Sequence, residues 1–318
     1  MTRVLAIDIG GTNTKLALVE PSGKVGKVTS TPTDGEMGVD HYLRSLVRAA
    51  EDVISNNHEE VEGVGIGVAG FINPAHTKMT FNPNISWMEG VNLKDIFCEK
   101  LKLTVNLEID SNAAALAEYA YGNGKDSRRL LVLTIGTGLG GGMIVQGDIL
   151  RIAHECLGDV GHILVEPGGL QCASGCKGCA EAMVSASALE RYTMEFISQD
   201  KKSKLYALLL SGGKIHTPEI IKAAHEGDIA AEKAIHKLGD YLGIALASIT
   251  PLMAPDRICI AGGVSEAGSI LIDAAKKNFN KMVGPPYAEG IRIHKAKLGW
   301  QSVLIGAAEA YRKVASRP

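Results

Sequence analysis

One pattern occurs twice in this chain and limits what it can fold into. Val4-Leu5-Ala6-Ile7-Asp8-Ile9-Gly10-Gly11-Thr12 is an apolar run that ends in a glycine/threonine turn and leads into a returning run. Leu130-Leu131-Val132-Leu133-Thr134-Ile135-Gly136-Thr137-Gly138 repeats it. Each reads as a strand, a tight turn and a returning strand. Any two glycine-turn hairpins share these features; the alternative is a duplicated α/β unit whose two hairpins face each other across a cleft.

The remaining periodicity favours the second reading. Strands are predicted at Val4–Ile9, Lys15–Val19, Val64–Ala69, Val105–Ile109, Leu130–Ile135, Gly141–Val145, Arg257–Ala261 and Ile291–Lys295. Helices are predicted near Asp40–Ser55, Leu93–Lys102, Asn112–Tyr121, Glu181–Ile197, Pro218–His225, Ala230–Thr250, Leu271–Phe279 and Val303–Ala315. Strands alternating with helices define α/β architecture. A length of 318 residues suits two domains.

Charge and hydropathy exclude several classes of partner. The formal net charge is −2 and the cations are spread along the chain, so no basic face suggests nucleic acid or an anionic membrane. The longest apolar stretch, Tyr241–Ala254, is too short to span a bilayer and contains Pro251. Met1-Thr2-Arg3 leads into a short apolar run interrupted by Asp8, which is not a secretory signal. The expected location is the cytoplasm.

Three glycine turns carry the chemistry. A nucleoside triphosphate needs many short, fixed donors; glycine lets backbone N–H groups approach closely and threonine hydroxyls add more. Asp8-Ile9-Gly10-Gly11-Thr12-Asn13-Thr14-Lys15 supplies such a loop, with a strand-end carboxylate suited to Mg²⁺ through water. Gly136-Thr137-Gly138-Leu139-Gly140-Gly141-Gly142 supplies a second, and Ala261-Gly262-Gly263-Val264-Ser265 a third. Singly, each is as good an ordinary tight turn. No P-loop motif G-x-x-x-x-G-K-S/T is present, and the first loop lacks Rossmann spacing.

These loops, together with Gly65-Ile66-Gly67-Val68-Ala69-Gly70, Asp110-Ser111-Asn112-Ala113-Ala114, Gly161-His162, the segment Cys172–Glu181 and the closing helix at Ser302–Ala310, follow the order seen in ROK proteins. ROK stands for repressor, open reading frame, kinase, and the chain most resembles the family's bacterial glucokinases. The resemblance implies a two-domain actin-like ATPase fold of the ribonuclease H-like kind, hinged about a cleft for sugar and Mg²⁺-ATP. It divides the chain into a smaller domain, residues 1–110 plus 303–318, and a larger one, residues 111–302. On the matching positions, ATP would lie on Asp8, Gly10, Gly11, Thr12, Lys15, Thr137, Gly138, Gly262 and Gly263. A homodimer is implied as well.

Phosphoryl transfer to a hydroxyl needs positioning, charge neutralisation and one group to accept the proton. Asp110 ends a predicted strand and precedes a helix, where aspartate also serves as an N-cap. The resemblance assigns it the catalytic role. By the same resemblance Gly70, Asn84, Asp159, His162 and Glu181 join Asp110 around the sugar. Two positions depart from the family: Ile109 stands where an Asn usually precedes the catalytic Asp, and Asp159 where a Glu usually stands three residues before the His. Ile109 cannot hydrogen-bond a hydroxyl left against it, a penalty of roughly 1–3 kcal/mol. The departures point to glucose held in a drifted pocket, or to another hexose, an amino sugar or a cyclitol.

Of six cysteines, Cys98, Cys156 and Cys259 sit in apolar surroundings and read as core. Cys172, Cys176 and Cys179 crowd together, which in a reducing compartment suggests metal rather than disulfides. The family places one His and three Cys around zinc in the pattern C-x-C-G-x-x-G-C-x-E. Here Ser174 replaces the middle Cys and Cys176 appears two residues later. The resemblance therefore implies Zn²⁺ on His162, Cys172, Cys176 and Cys179, against the alternative of a site that has lost its metal. A different class also stands open: a non-catalytic sugar-binding regulator. The regulators carry a DNA-binding helix-turn-helix before the first loop, and with that loop starting at Asp8 none is expected here.

Overall fold

The structure, a computed structural model, describes residues 2–57, 60–82, 84–152, 155 and 159–316. The chain opens with β1 (Arg3–Ile9), β2 (Asn13–Val19), β3 (Thr29–Pro32) and α1 (Val39–Ser55). It continues through β4 (Val61–Val68), β5 (Phe71–Ile72), β6 (Met79–Phe81), α2 (Leu93–Leu101), β7 (Val105–Ile109) and α3 (Asp110–Tyr121). The second pattern follows as β8 (Arg129–Ile135), β9 (Leu139–Val145) and β10 (Asp148–Ile149). Helices α4 (Ala180–Met183), α5 (Ala186–Gln199), α6 (Lys204–Leu210), α7 (Thr217–His225) and α8 (Ile229–Met253) come next. The chain closes with β11 (Arg257–Ala261), α9 (Ser269–Met282), α10 (Pro285–Ala288), β12 (Arg292–Lys295) and α11 (Ser302–Ala315).

The repeated sequence pattern is a repeated sheet. One sheet has the order β3-β2-β1-β4-β7 and the other β10-β9-β8-β11-β12, so each places an antiparallel hairpin beside two parallel strands. β1 and β8 even share one burial pattern along their seven residues. This is the α/β, actin-like architecture expected of the fold.

Two compact units emerge: Met1–Lys125 with Gly142–Gly158 and Trp300–Pro318, and Asp126–Gly141 with Asp159–Gly299. The first unit thus reaches past the 1–110 and 303–318 spans expected, because α3 packs on α11. A Cβ at Gly306 of α11 would come within 1.7 Å of Ala113 O, so glycine facing the alanine run of α3 permits the close approach. On the other face of the first sheet, α1 buries Tyr42, Leu43, Leu46, Val47, Ala50 and Val53, a helical stripe, against Leu5, Ile7, Ile66 and Leu107.

Three local differences from the expected elements stand out. The single helix predicted over Glu181–Ile197 is two helices, because Ser185 accepts from Ala188 N at 3.2 Å and caps α5 afresh. β3 is an unpredicted edge strand whose Thr-Ser-Thr-Pro sequence has no apolar alternation. α6 was not expected either; Ser203 caps it by accepting from Leu205 N at 3.1 Å. Cys259 is buried in β11 and Cys98 half-buried on α2, while Cys156 lies outside the described residues. Among the described residues no helix is long and apolar enough to cross a membrane.

Candidate active site

In the first unit the strand ends present two carboxylates. Asp8 comes near the end of β1, paired across the hairpin with Lys15. Asp110 follows β7, which lies beyond β4 from β1. Burial pushes the Asp8 carboxyl up to about 6, opposed by the Lys15 charge. Burial pushes Asp110 up to about 7; the Asp8 charge adds to the rise and the Ser111 amide, donating at 2.7 Å, opposes it. Asp110 therefore does not act as the N-cap of α3, where Ile109 occupies that position. It is a half-buried carboxyl poised to exchange a proton near neutral pH.

The surrounding loops are built on glycine. Gly10 N donates to Asn13 O at 3.2 Å to close the first turn, and Thr12 O accepts from Thr33 N at 2.9 Å. Asn84 is exposed next to Gly11, whose added Cβ would come within 3.4 Å of Asn84 Cβ. Gly70 has φ 89°, and a Cβ there would meet Phe81 O at 2.2 Å. Asn82 bridges this turn, donating to Ala69 O at 3.0 Å and accepting from Asn84 N at 2.8 Å. Lys15 Nζ lies 5.2 Å from the Trp300 ring centroid, an aromatic neighbour the sequence reading missed. Ile109 does not line this surface: it is buried with Leu107 and Val105 in the core of the first unit, and the penalty expected against a sugar hydroxyl loses its basis.

In the second unit the other two glycine loops meet. Gly262 has φ 85° and packs directly on the backbone of Ile135, where a Cβ would stand 2.3 Å from the carbonyl oxygen. Ser265 locks the turn, its hydroxyl donating to Gly262 O at 2.7 Å. Gly136 O accepts from Ala186 N at 2.8 Å. Beside these loops opens a cavity of about 810 Å³, lined among others by Gly136, Thr137, Pro218, Ile221, Gly263 and Val264. Its walls are mostly apolar and its floor is two glycine turns, which suits a planar base with its phosphates on backbone amides. The contribution of α7 was not foreseen; Pro218 at a helix start followed by two isoleucines was the available signal.

Glu181 is tied to the same loops. Its Oε2 accepts from Leu139 N at 3.1 Å, and a Cβ at Gly138 would come within 2.4 Å of that oxygen. His162 stands between two partners: Nε2 is 3.4 Å from Asp159 Oδ2, and Nδ1 is 3.6 Å from Cys172 Sγ. His162, Cys172 and Cys179 bring one ligand atom each within 4.8 Å of one another. Burial pushes the Cys179 thiol up to about 11, and Cys172 adds to the rise, so the cluster as it stands disfavours thiolate. A divalent cation reverses that, which is how such donor sets fit zinc. Cys176 is exposed and is not one of the three gathered donors, although Cys172 N donates to its carbonyl at 2.8 Å.

Duplicated sheets, a nucleotide-sized cavity on glycine turns and a strand-end carboxyl that burial pushes up towards neutrality fit phosphoryl transfer from a nucleotide. The chain belongs to the ROK family, whose model matches residues 4–314. It is 32% identical to the glucokinase of Halalkalibacterium halodurans over 306 residues, 95% of this chain and 92% of that one. The ROK family glucokinase of Streptomyces griseus, solved in complex with glucose and AMPPNP, superposes with a TM-score of 0.87 at 32% identity. That match covers 98% of this chain and 99% of the other. The Escherichia coli DNA-binding regulator NagC is 26% identical over 302 residues, 94% of this chain and 73% of the regulator.

Proposed function

We propose that this kinase transfers the γ-phosphoryl group of ATP to a hydroxyl of glucose or a closely related hexose, with Asp110 as the general base. The observation that carries the assignment is the half-buried Asp110 carboxyl at the end of β7, which burial and the Asp8 charge push up to about 7. A base of that pKa accepts the hydroxyl proton as the oxygen attacks, yet is ionised in a large fraction of molecules at neutral pH. Asp8 would hold Mg²⁺ through water, and the cation would neutralise charge on the phosphates. Gly136–Gly138 and Gly262–Gly263 would hold the phosphates by backbone amides, with Thr137 adding a hydroxyl. Lys15 and Gly10–Thr12 would complete the phosphate contacts in the first unit. Gly70, Asn84, Asp159, His162 and Glu181 would orient the sugar. We further propose a cytoplasmic homodimer.

Glucose is the reading the glucokinase relatives support, and Ile109 being a core residue removes one argument for another sugar. Asp159, reaching one methylene less than Glu, keeps an amino sugar or cyclitol in the comparison. The test is sugar-dependent ADP release from Mg²⁺-ATP across glucose, mannose, fructose, allose, glucosamine, N-acetylmannosamine and simple cyclitols. Turnover on glucose at least tenfold above every other sugar is the expected result. Silence across the panel with nucleotide still bound would move the assignment to the regulator class, for which the similarity to NagC provides the precedent.

Zinc on His162, Cys172 and Cys179, with Cys176 as the fourth donor, would fix the loop that carries Glu181. Elemental analysis should find one zinc per chain. Its removal by a strong chelator should lower stability by about 3 kcal/mol, as expected for loss of a ligand held well above its dissociation constant. An unchanged melting temperature after chelation, with no metal found beforehand, would eliminate the assignment.

A further inference from the structure

An ion pair whose carboxylate is buried lies at the root of the Asp110 carboxyl, apart from every contact assigned to substrate. Glu108, two residues before Asp110 on β7, is only 1% exposed. Its carboxylate accepts from Ile109 N at 3.0 Å, from Asn112 Nδ2 at 2.9 Å, and from both terminal nitrogens of Arg151 at 3.2 and 2.6 Å. Arg151 also donates to Glu155 O at 2.9 Å, an oxygen shared with Asn112 Nδ2. Glu155 Oε2 stands 3.3 Å from His76 Nε2, and His76 Nδ1 donates to Leu107 O at 2.8 Å. The contacts thus close a ring around residues 107–112.

Two features set this ring apart from ordinary packing. His76 and Glu155 both adopt left-handed backbone, at φ 52° and 64°, a strained state for non-glycine residues that persists only where surroundings enforce it. An ion pair with a buried carboxylate also adds little net stability over apolar residues of the same volume, so its presence calls for another use. Its location supplies one, since the paired carboxylate is two residues from the base.

We propose that Arg151 is a positioning residue for Asp110, acting through Glu108: it neutralises the neighbouring carboxylate and clamps the end of β7 from which the base extends. The inference rests on Asp110 being the base. In the first unit the Asp8 charge acts on Asp110 directly, Lys15 pairs with Asp8 across the hairpin, and the Glu108–Arg151 pair, Glu155 and His76 form the ring around residues 107–112. On α11, Glu309 and Arg312 lie by Tyr121 at the far end of α3 from Asp110. Without Arg151, a second carboxylate would oppose ionisation of Asp110.

The experiment is the pH profile of kcat/KM for the sugar in Arg151→Met, Arg151→Lys and Glu108→Gln, with Asp110→Asn alongside. In Arg151→Met the acidic limb should move up by about one pH unit and kcat at pH 7 should fall about tenfold. Glu108→Gln removes the buried carboxylate while Arg151 keeps its charge, with Glu155 Oε2 3.8 Å from its Nε, and should move the limb the other way. Arg151→Lys should restore the limb but only part of kcat, since lysine keeps the charge and loses the two-pronged contact. If Arg151→Met does not fold, the opposite shift in Glu108→Gln decides alone. Folded variants with an unmoved limb, in a protein whose Asp110→Asn form is inactive, would overturn the positioning role and leave the base intact. An active Asp110→Asn enzyme would overturn both.

Discussion

Asp110→Asn should lose about 10²–10⁴-fold in kcat, with little change in KM for either substrate, and should melt at a higher temperature than the parent at pH 8. The loss follows from removing the proton acceptor while keeping its shape. The gain in stability follows from the direction of the pKa. The folded chain raises Asp110 from 3.8 to about 7, so it binds the proton more tightly than the unfolded chain does. Stability tied to this group is full below about pH 4, declines as pH rises towards 7, and is lost above it. Asparagine carries no such penalty. After allowance for water reaching a half-buried group, the difference at pH 8 is on the order of 1–2 kcal/mol, or ~2–6 °C. At pH 4 the two melting temperatures should converge. Kinetics and thermal scans at both pH values check the result; a variant that is inactive and less stable at pH 8 would mean the carboxylate is held by favourable contacts rather than by enforced desolvation.

Such a penalty is a mark of function, because an active site holds groups in states that folding alone would not select. It also explains which parts of the site are legible in a single sequence. Asp8 and Asp110 are legible because each stands at the end of an apolar strand beside a glycine or alanine run, a local pattern. The duplicated hairpins are legible for the same reason: strand, turn and return lie within about twenty residues. Glu108 and Arg151 are not, since 43 residues separate them and neither belongs to a motif. The place of Ile109 is legible too, from a local pattern. Val105, Leu107 and Ile109 alternate onto one face of β7, and that period places all three in the core, whatever residue a relative carries there. Pro218 and Ile221 wall the cavity only because α7 comes to lie beside two turns that end β8 and β11, a tertiary fact. The cysteine loop is intermediate. Spacing groups Cys172, Cys176 and Cys179, and only the fold shows His162 joining Cys172 and Cys179 while Cys176 is exposed.

The third glycine turn permits a sharper separation of folding from binding, because its two glycines do different things. Gly262 needs its left-handed φ of 85° and leaves no room for a side chain, since a Cβ would stand 2.3 Å from Ile135 O and 2.7 Å from Ile135 N, both backbone atoms that cannot step aside. Gly263 is open, with nothing within 4 Å of a Cβ built there. Gly262→Ala should therefore force β11 away from β8 and destabilise the chain by about 3 kcal/mol, combining backbone strain with the clash. It should also raise KM for ATP by about 10–100-fold, because Gly263 and Val264 move with the turn and deform the cavity they line. Gly263→Ala should leave the melting temperature within about 1 °C of the parent. It should still raise KM for ATP, since its methyl group occupies the space through which phosphate oxygens reach the backbone amides. KM for the sugar should stay unchanged in both. A Gly263→Ala enzyme with parental ATP kinetics would mean that the phosphates do not approach this turn, and that Gly262 is required by the packing of β8 against β11 alone.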